Sequence, residues 1–249
     1  MKHPRAVLVL GEGISAVDIL DILEHLLWRL KDKRGEMLKV CDIFPLICAG
    51  GSAGILAILL GRLEKSVEDC RAFIAEIERS EEVLPSWTAW SIANRALASI
   101  DTRSPLRDPA KPCKVRFIWM PRSASEGANH LVSYHNHDDK NEENFTILQA
   151  MQKCLHPRQR SSMEYPFKAM VDEVKITRDQ LHGNQVCISI KTRAKRAQEA
   201  ISDQFAVHDL RNGHEFHISI DLEPPDRDIA GYIEDAAEKL VKIMSNNSI

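Results

Sequence analysis

The stretch "ICAGGSAGILAILLGRL", residues 47–63, is the most informative part of the chain about its fold. An apolar run enters a cluster of small residues, Gly50 to Gly54, and a second apolar run leaves it. Glycine tolerates the backbone angles of a tight turn. The first run suits a buried strand, and the second suits a helix that is apolar almost all round. The stretch therefore predicts a strand, a sharp turn and a buried helix, with Ser52 at the bend.

The start of the chain has the same layout. Residues 6–13, "AVLVLGEG", form a short apolar run followed by a glycine-rich turn. The next twenty residues show apolar side chains at helical spacing and end in a charged stretch before Gly35, which predicts an amphipathic helix. Its apolar positions are Ile19, Ile22, Leu23, Leu26, Leu27 and Leu30.

Strands and helices alternate along the rest of the chain. Ser66 is a predicted N-cap for the helix "VEDCRAFIAEIERS", with Asp69 as its capping-box partner. Alternation of this kind predicts an α/β fold, with a mostly parallel central sheet and helices on both faces, in one domain spanning residues 1–249. Further strands are predicted in "CKVRFIWM", "HLVSYH", "QVCISI" and "GHEFHISIDL", and further helices in "LPSWTAWSIANRALASI", "TILQAMQKCL", "RAKRAQEAISDQF" and "DIAGYIEDAAEKLVKIM".

Composition narrows the classes of function. The 249 residues carry a formal net charge of −3, which offers no electrostatic basis for binding nucleic acid. The six cysteines lack metal-site spacing and predict reduced thiols in a cytoplasmic protein. The longest apolar runs are far too short for a transmembrane segment, and peripheral contact with a membrane surface stays open. The oligomeric state is left open as well.

The two glycine-rich turns are the candidate sites for chemistry. Parallel sheets carry their active groups at the carboxyl ends of strands, and a helix N-terminus there offers N–H donors. "GEG" matches neither a dinucleotide-binding nor a P-loop pattern, and Glu12 would repel a phosphate, which disfavours nucleotide binding. Residues 50–54 match G-x-S-x-G, a pattern that exposes a serine beside backbone donors.

Two segments carry a resemblance to a known family. Residues 7–30, "VLVLGEGISAVDILDILEHLLWRL", and 41–70, "CDIFPLICAGGSAGILAILLGRLEKSVEDC", resemble the first two motifs of the patatin-like phospholipases. The resemblance extends over nearly the whole chain. It implies a patatin-like three-layer fold and hydrolysis of lipid acyl esters by a Ser–Asp dyad, without a metal or organic cofactor. In this chain it implies Ser52 as the nucleophile and Asp172 as the base.

The departures from the family pattern bear on activity. Glu12 and Ser15 stand where the family has glycine and arginine, and an alignment without gaps puts Gly51 at the serine position. The family's D-G-G or D-G-A is absent, so Asp172 in "MVDEV" is the nearest candidate acid. We therefore expect weak or lost catalysis in a lipid- or partner-binding module. The alternative is an active serine acyl hydrolase that uses Ser52.

The complete candidate site combines both turns. The residues implied for the oxyanion hole or for binding are Gly11, Glu12, Gly13, Gly50, Gly51 and Gly54. Two polar segments have weaker interpretations. The histidine and aspartate residues of 130–139 favour a polar loop over a metal site. The basic segment "KTRAKRAQEA", residues 191–200, favours a solvated helix face over an anionic lipid contact.

Overall fold

One mostly parallel sheet organises the chain. The computed structural model describes residues 6–11, 15–50, 53–81, 103–108, 110–119, 129–132, 145–155, 186–191, 216–221 and 229–245. The described strands follow the order β4-β3-β2-β1-β5-β6, and all neighbours are parallel except β3 and β4. The predicted α/β class and mostly parallel sheet are confirmed. The strands are β1 (Ala6–Leu10), β2 (Leu46–Gly50), β3 (Lys114–Trp119), β4 (Asn129–Val132), β5 (Val186–Lys191) and β6 (Phe216–Asp221).

Helices connect and cover the strands. None of those in the described part of the chain is long and apolar enough to cross a membrane. The helices predicted over residues 84–100 and 193–205 lie outside the described residues. The described helices are α1 (Ala16–Arg34), α2 (Val40–Ile43), α3 (Ala53–Ala57), which continues into a π-helical turn (Ile58–Arg62), α4 (Val67–Glu81), α5 (Ile147–Leu155) and α6 (Ile229–Ser245).

Two of these elements differ from the sequence prediction. The short helix α2 was not expected, because four residues are too few to display a helical period. The helix predicted after the Gly50–Gly54 turn changes its hydrogen bonding after Ala57, and the N–H of Leu63 donates to the carbonyl of Ile58 at 2.9 Å. An unbroken apolar run has no periodicity from which a π turn could be predicted.

The apolar core lies against one face of the sheet. Side chains alternate between the two faces along a strand. Leu8, Ile47 and Ile188 belong to one apolar cluster, to which every described helix contributes side chains. Val9 and Cys48 face the opposite way and are also buried. Both faces of the central strands are therefore covered, as expected for a parallel sheet.

Capping residues hold the ends of α1 and the start of α4. Ser15 caps α1, since its Oγ accepts a hydrogen bond from the N–H of Asp18 at 3.0 Å. Gly35 ends α1 with a φ of 77°, a left-handed conformation that favours glycine. At α4, the N–H of Asp69 donates to Ser66 Oγ at 3.0 Å, and the N–H of Ser66 donates to Asp69 Oδ2 at 3.2 Å. The predicted capping box is thus confirmed.

Ion pairs join α1 to its neighbouring helices. Arg71 of α4 contacts Asp21 at 2.6 Å and Glu24 at 2.7 Å on α1. Lys33, near the other end of α1, lies 2.6 Å from Glu234 of α6. These pairs are partly exposed, so each contributes little free energy. The helices are held mainly by the apolar cluster beneath them.

Candidate functional site

The two glycine-rich turns meet at one edge of the sheet. Leu10 of β1 pairs with Ala49 of β2, so Gly11 is level with Gly50 on the neighbouring strand. Neighbouring strands lie about 5 Å apart. The carboxyl ends of β1 and β2 point to the same edge because the strands are parallel. The structure thus brings together two turns that are far apart in the sequence.

The strand order identifies the same edge by a separate route. The chain builds the sheet from β1 to β2 and β3 on one side, and places β5 and β6 on the other side of β1. The order therefore reverses between β1 and β5. In open α/β sheets, ligands bind outside the carboxyl ends of the strands at such a reversal. The turn after β1 leaves the sheet at this point, and the turn after β2 is its neighbour.

A very short connection joins β2 to α3. The strand ends at Gly50 and the helix begins at Ala53, so the connection consists of Gly51 and Ser52 alone. Gly50 and Gly54, the two glycines of the G-x-S-x-G match, are both buried. A strand that leads into a helix through a sharp turn is the structural context in which this pattern holds a nucleophilic serine.

The helix that follows this turn packs closely on the sheet. A Cβ atom at Gly61 would lie 2.6 Å from Cγ2 of Val115 on β3 and 3.2 Å from Cδ1 of Ile47 on β2. Side chains do not approach this closely, so only glycine allows the π turn to approach β2 and β3 at this distance. The helix after the candidate elbow is therefore set directly on the strands that border the site.

Gly11 and Ser15 have defined roles at the first turn. The N–H of Gly11 donates to the carbonyl of Ile190 at 2.8 Å, which extends the pairing of β1 with β5. An oxyanion at this turn would therefore have to be held by amides beyond Gly11. Ser15 Oγ donates to Asp18 Oδ2 at 2.7 Å in addition to accepting from its N–H. The residue at the family's arginine position serves here as the cap of α1.

The other predicted site residues fall outside the described part of the chain. Ser52 and Asp172 lie there, as do Glu12, Gly13 and Gly51. Of the histidine and aspartate residues in 130–139, the structure describes only His130, within β4, and of the basic segment it describes only Lys191, at the end of β5. Within the described ranges, no three His, Cys, Asp or Glu side chains are grouped so that they could hold a metal ion.

The described cysteine thiols are poor candidates for nucleophiles. Cys41, Cys70 and Cys113 are buried and free of disulfides. Burial raises the pKa of Cys70 to about 12 and also raises the pKa of Cys41 and of Cys113. The Cys113 thiol donates a hydrogen bond to the carbonyl of Phe44 at 3.0 Å. Because the thiolate is the reactive form, burial and a raised pKa make these thiols weak nucleophiles at neutral pH.

Arg62 has a structural role that the sequence motifs did not indicate. The residue is only 6% exposed, at the end of the π turn. Its Nε donates to the carbonyl of Leu106 at 2.9 Å, and its Nη2 donates to the carbonyl of Pro105 at 3.1 Å. Nη2 also lies 3.3 Å from Oδ2 of Asp108. The available signal was that a single charged residue closes an otherwise apolar helical segment.

Comparison with known proteins adds no family to this description. No model of a protein family matches the chain. No curated protein matches it in sequence either. The functional interpretation therefore depends on the quoted motifs and on the geometry of the sheet edge at Gly11 and Gly50.

Proposed function

We propose that the protein is a patatin-like, lipid- or partner-binding module with weak or lost acyl-hydrolase activity, and that its ligand site lies at the carboxyl edge of β1 and β2. One observation carries the proposal. Gly50, from which the chain reaches Ala53 through Gly51 and Ser52 alone, is level with Gly11 on the neighbouring strand, so the two glycine-rich segments begin side by side. An acyl ester bound there would meet the turn that contains Ser52.

The proposal of weak catalysis rests on the groups that such a reaction needs. An ester hydrolase stabilises a developing oxyanion with N–H donors. The N–H of Gly11 is already bonded to Ile190, and the next residue, Glu12, brings a carboxylate beside the expected negative charge. A serine hydroxyl also needs a base, and the family's D-G motif is absent. These three features all lower the expected rate of ester hydrolysis.

The alternative is an active serine acyl hydrolase, which the short strand-to-helix connection favours. In that reaction, Oγ of Ser52 attacks the ester carbonyl while Asp172 accepts the hydroxyl proton. The alcohol then leaves with a proton, and water hydrolyses the acyl-enzyme to release the fatty acid and restore the serine. The sequence requires no metal or organic cofactor for these steps.

Labelling with a fluorophosphonate probe separates the two functions. An activated serine forms a covalent phosphonate adduct, which mass spectrometry assigns to a residue. We expect little or no adduct at Ser52 in the folded protein. A stoichiometric adduct that disappears in Ser52→Ala and persists in Ser15→Ala would contradict the loss of catalysis. Ser15 is the matched control because it caps α1 beside the same edge.

Binding is tested with phosphatidylcholine vesicles that carry a fluorescent acyl chain. We expect the protein to co-sediment with the vesicles, and we expect Ser52→Trp to weaken the association because the indole fills the space beside the two turns. Ser66→Trp, at the start of α4, places the same side chain on another surface as a control. Equal binding by both variants would place the lipid contact away from the proposed site.

A further inference from the structure

We infer that Arg62 is the positioning residue of the candidate elbow, because its guanidinium fixes the rotation and the axial position of the helix that begins directly after Ser52. The inference rests on the proposed site at the turn between β2 and α3. Arg62 touches no substrate in this role. It acts through the helix, from the end opposite the turn.

The helix lacks any other polar anchor. Its ten residues, 53–62, are all buried, and Arg62 is the only one with a polar side chain. Apolar burial is non-directional, so the hydrophobic effect alone favours no single rotation of the helix, and close packing restricts it only through shape. A guanidinium has a rigid fork of donors, and each bond to it has a required direction. Arg62 therefore adds directional polar contacts to the packing that orients this helix.

Arg62 binds a segment that is itself held in place. Leu106, whose carbonyl accepts from Nε, donates its own N–H to the carbonyl of Phe145 at 2.7 Å. The N–H of Ile147 donates to the carbonyl of Ser104 at 3.0 Å, at the start of α5. Helix α5 in turn packs against α3. The contacts of Arg62 thus join the π turn to a fixed point of the structure.

The π turn brings Arg62 to this point. A π turn contains more residues per turn than an α-helix, so it changes the direction of every side chain that follows. The close approach of Gly61 to Val115 presses the same turn onto β3. Together these contacts fix the far end of a helix whose first residue is one position beyond Ser52. A rotation of this helix would move Ala53, the residue that follows Ser52.

The test compares Arg62→Lys with Leu60→Ala, using the full chain. Lysine keeps a charge for Asp108 but loses the fork that bridges two carbonyls. Leu60, in the same turn, is fully buried and apolar, so its truncation destabilises the helix without removing a directional contact. Two quantities are measured: the rate of fluorophosphonate labelling at Ser52, and hydrogen exchange of the amides in residues 53–57.

We expect Arg62→Lys to speed exchange in α3 more than Leu60→Ala does at equal loss of stability. If the parent is labelled at Ser52, Arg62→Lys should also slow that labelling by about tenfold or more, with Leu60→Ala within about threefold of the parent. Asp108→Asn removes the negative charge that pairs with Arg62 and leaves the helix sequence unchanged. This variant should change labelling and exchange in the same direction as Arg62→Lys. The inference is wrong if Leu60→Ala slows labelling as much as Arg62→Lys at equal loss of stability.

The exchange measurement stays informative if the parent protein is not labelled. Absence of an adduct at Ser52 contradicts the hydrolase alternative and leaves the positioning role to be decided by exchange alone. Faster exchange of the α3 amides in Arg62→Lys than in Leu60→Ala then supports the role. Equal exchange in the two variants overturns it.

Discussion

A Cβ atom added to Gly61 would lie 2.6 Å from Cγ2 of Val115, so the close contact between the π turn and β3 exists only because residue 61 is glycine. Replacing a glycine inside a helix with alanine ordinarily stabilises the helix by about 1 kcal/mol. At this position the contact reverses the sign, because Cys113 and Ile47 also lie close to the added atom. Either the helix or the side chain of Val115 would have to shift.

We therefore expect Gly61→Ala to lower the free energy of unfolding by about 1–3 kcal/mol, measured by urea denaturation. A double-mutant cycle with Val115→Ala checks the cause. If the clash with Val115 is responsible, Gly61→Ala costs less in the Val115→Ala background than in the parent. Additive effects of the two substitutions would contradict this explanation.

Arg62 and Arg71 provide a matched pair for testing buried against exposed ion pairs. Removing the side chain of Arg62 leaves two carbonyls without their donor and Oδ2 of the partly exposed Asp108 without its cation, so Arg62→Ala should lower the free energy of unfolding by about 2–4 kcal/mol. Arg71 makes two ion pairs at the surface, and Arg71→Ala should cost less than about 1 kcal/mol. Denaturant titration of the two variants side by side measures both values. An equal loss of unfolding free energy in the two variants would show that the buried contacts of Arg62 contribute no more stability than the exposed ion pairs of Arg71.

The buried thiol of Cys70 makes stability depend on pH in the alkaline range. Burial raises its pKa from 9.0 to about 12 in the folded state. Below pH 9 the thiol is protonated in both states. Between pH 9 and about 12 the unfolded chain releases the proton and the folded chain keeps it, so rising pH favours unfolding.

We expect Cys70→Ala to flatten this alkaline decline, as measured by thermal unfolding at a series of pH values. The two proteins are compared by the slope of the unfolding temperature against pH, because the substitution also changes stability at neutral pH. At pH 7, the five buried thiols described in the structure should react with Ellman's reagent only after denaturation. Rapid reaction of Cys70 in the native protein would contradict the assigned burial.

The ion pair between Lys33 of α1 and Glu234 of α6 predicts that the stability of the protein falls in acid. A hydrogen bond from Lys33 holds the pKa of Glu234 below its usual value of 4.5. The positive charges of Lys33 and Arg29 lower this pKa further, by smaller amounts. A carboxyl group whose pKa is lowered in the folded state stabilises that state at pH values above its usual pKa. This contribution is lost as the pH falls. We therefore expect Glu234→Gln to show a shallower loss of stability than the parent between about pH 5 and pH 3.

The control for the acid experiment is Glu68→Gln, which alters an exposed carboxylate near the start of α4. This variant should follow the parent's acid profile more closely than Glu234→Gln does. The effect is small because the pair is at the surface, so the profiles are best compared through the unfolding temperature in low salt. Identical profiles for Glu234→Gln and the parent would rule out a contribution from this link.

Local patterns of the sequence were sufficient for most elements. Alternating or unbroken apolar runs predicted β1, β2, β3, β5 and β6 and, in "HLVSYH", most of β4, and helical spacing predicted α1, α4, α5 and α6. The capping box at Ser66 and Asp69 followed from two residue types three positions apart. Each of these signals lies within a few residues of the structure it specifies. The two glycine-rich turns were found at strand ends for the same reason.

The sequence by itself thus determined most of the described strands and helices, and the glycine-rich segments at the ends of β1 and β2. Only the tertiary structure decided that Gly11 lies level with Gly50, that the amide of Gly11 is bonded to Ile190, and that a π turn brings Arg62 to Asp108. These relationships join residues far apart in the chain. They depend on strand order and on close packing, which no local pattern of residue types encodes.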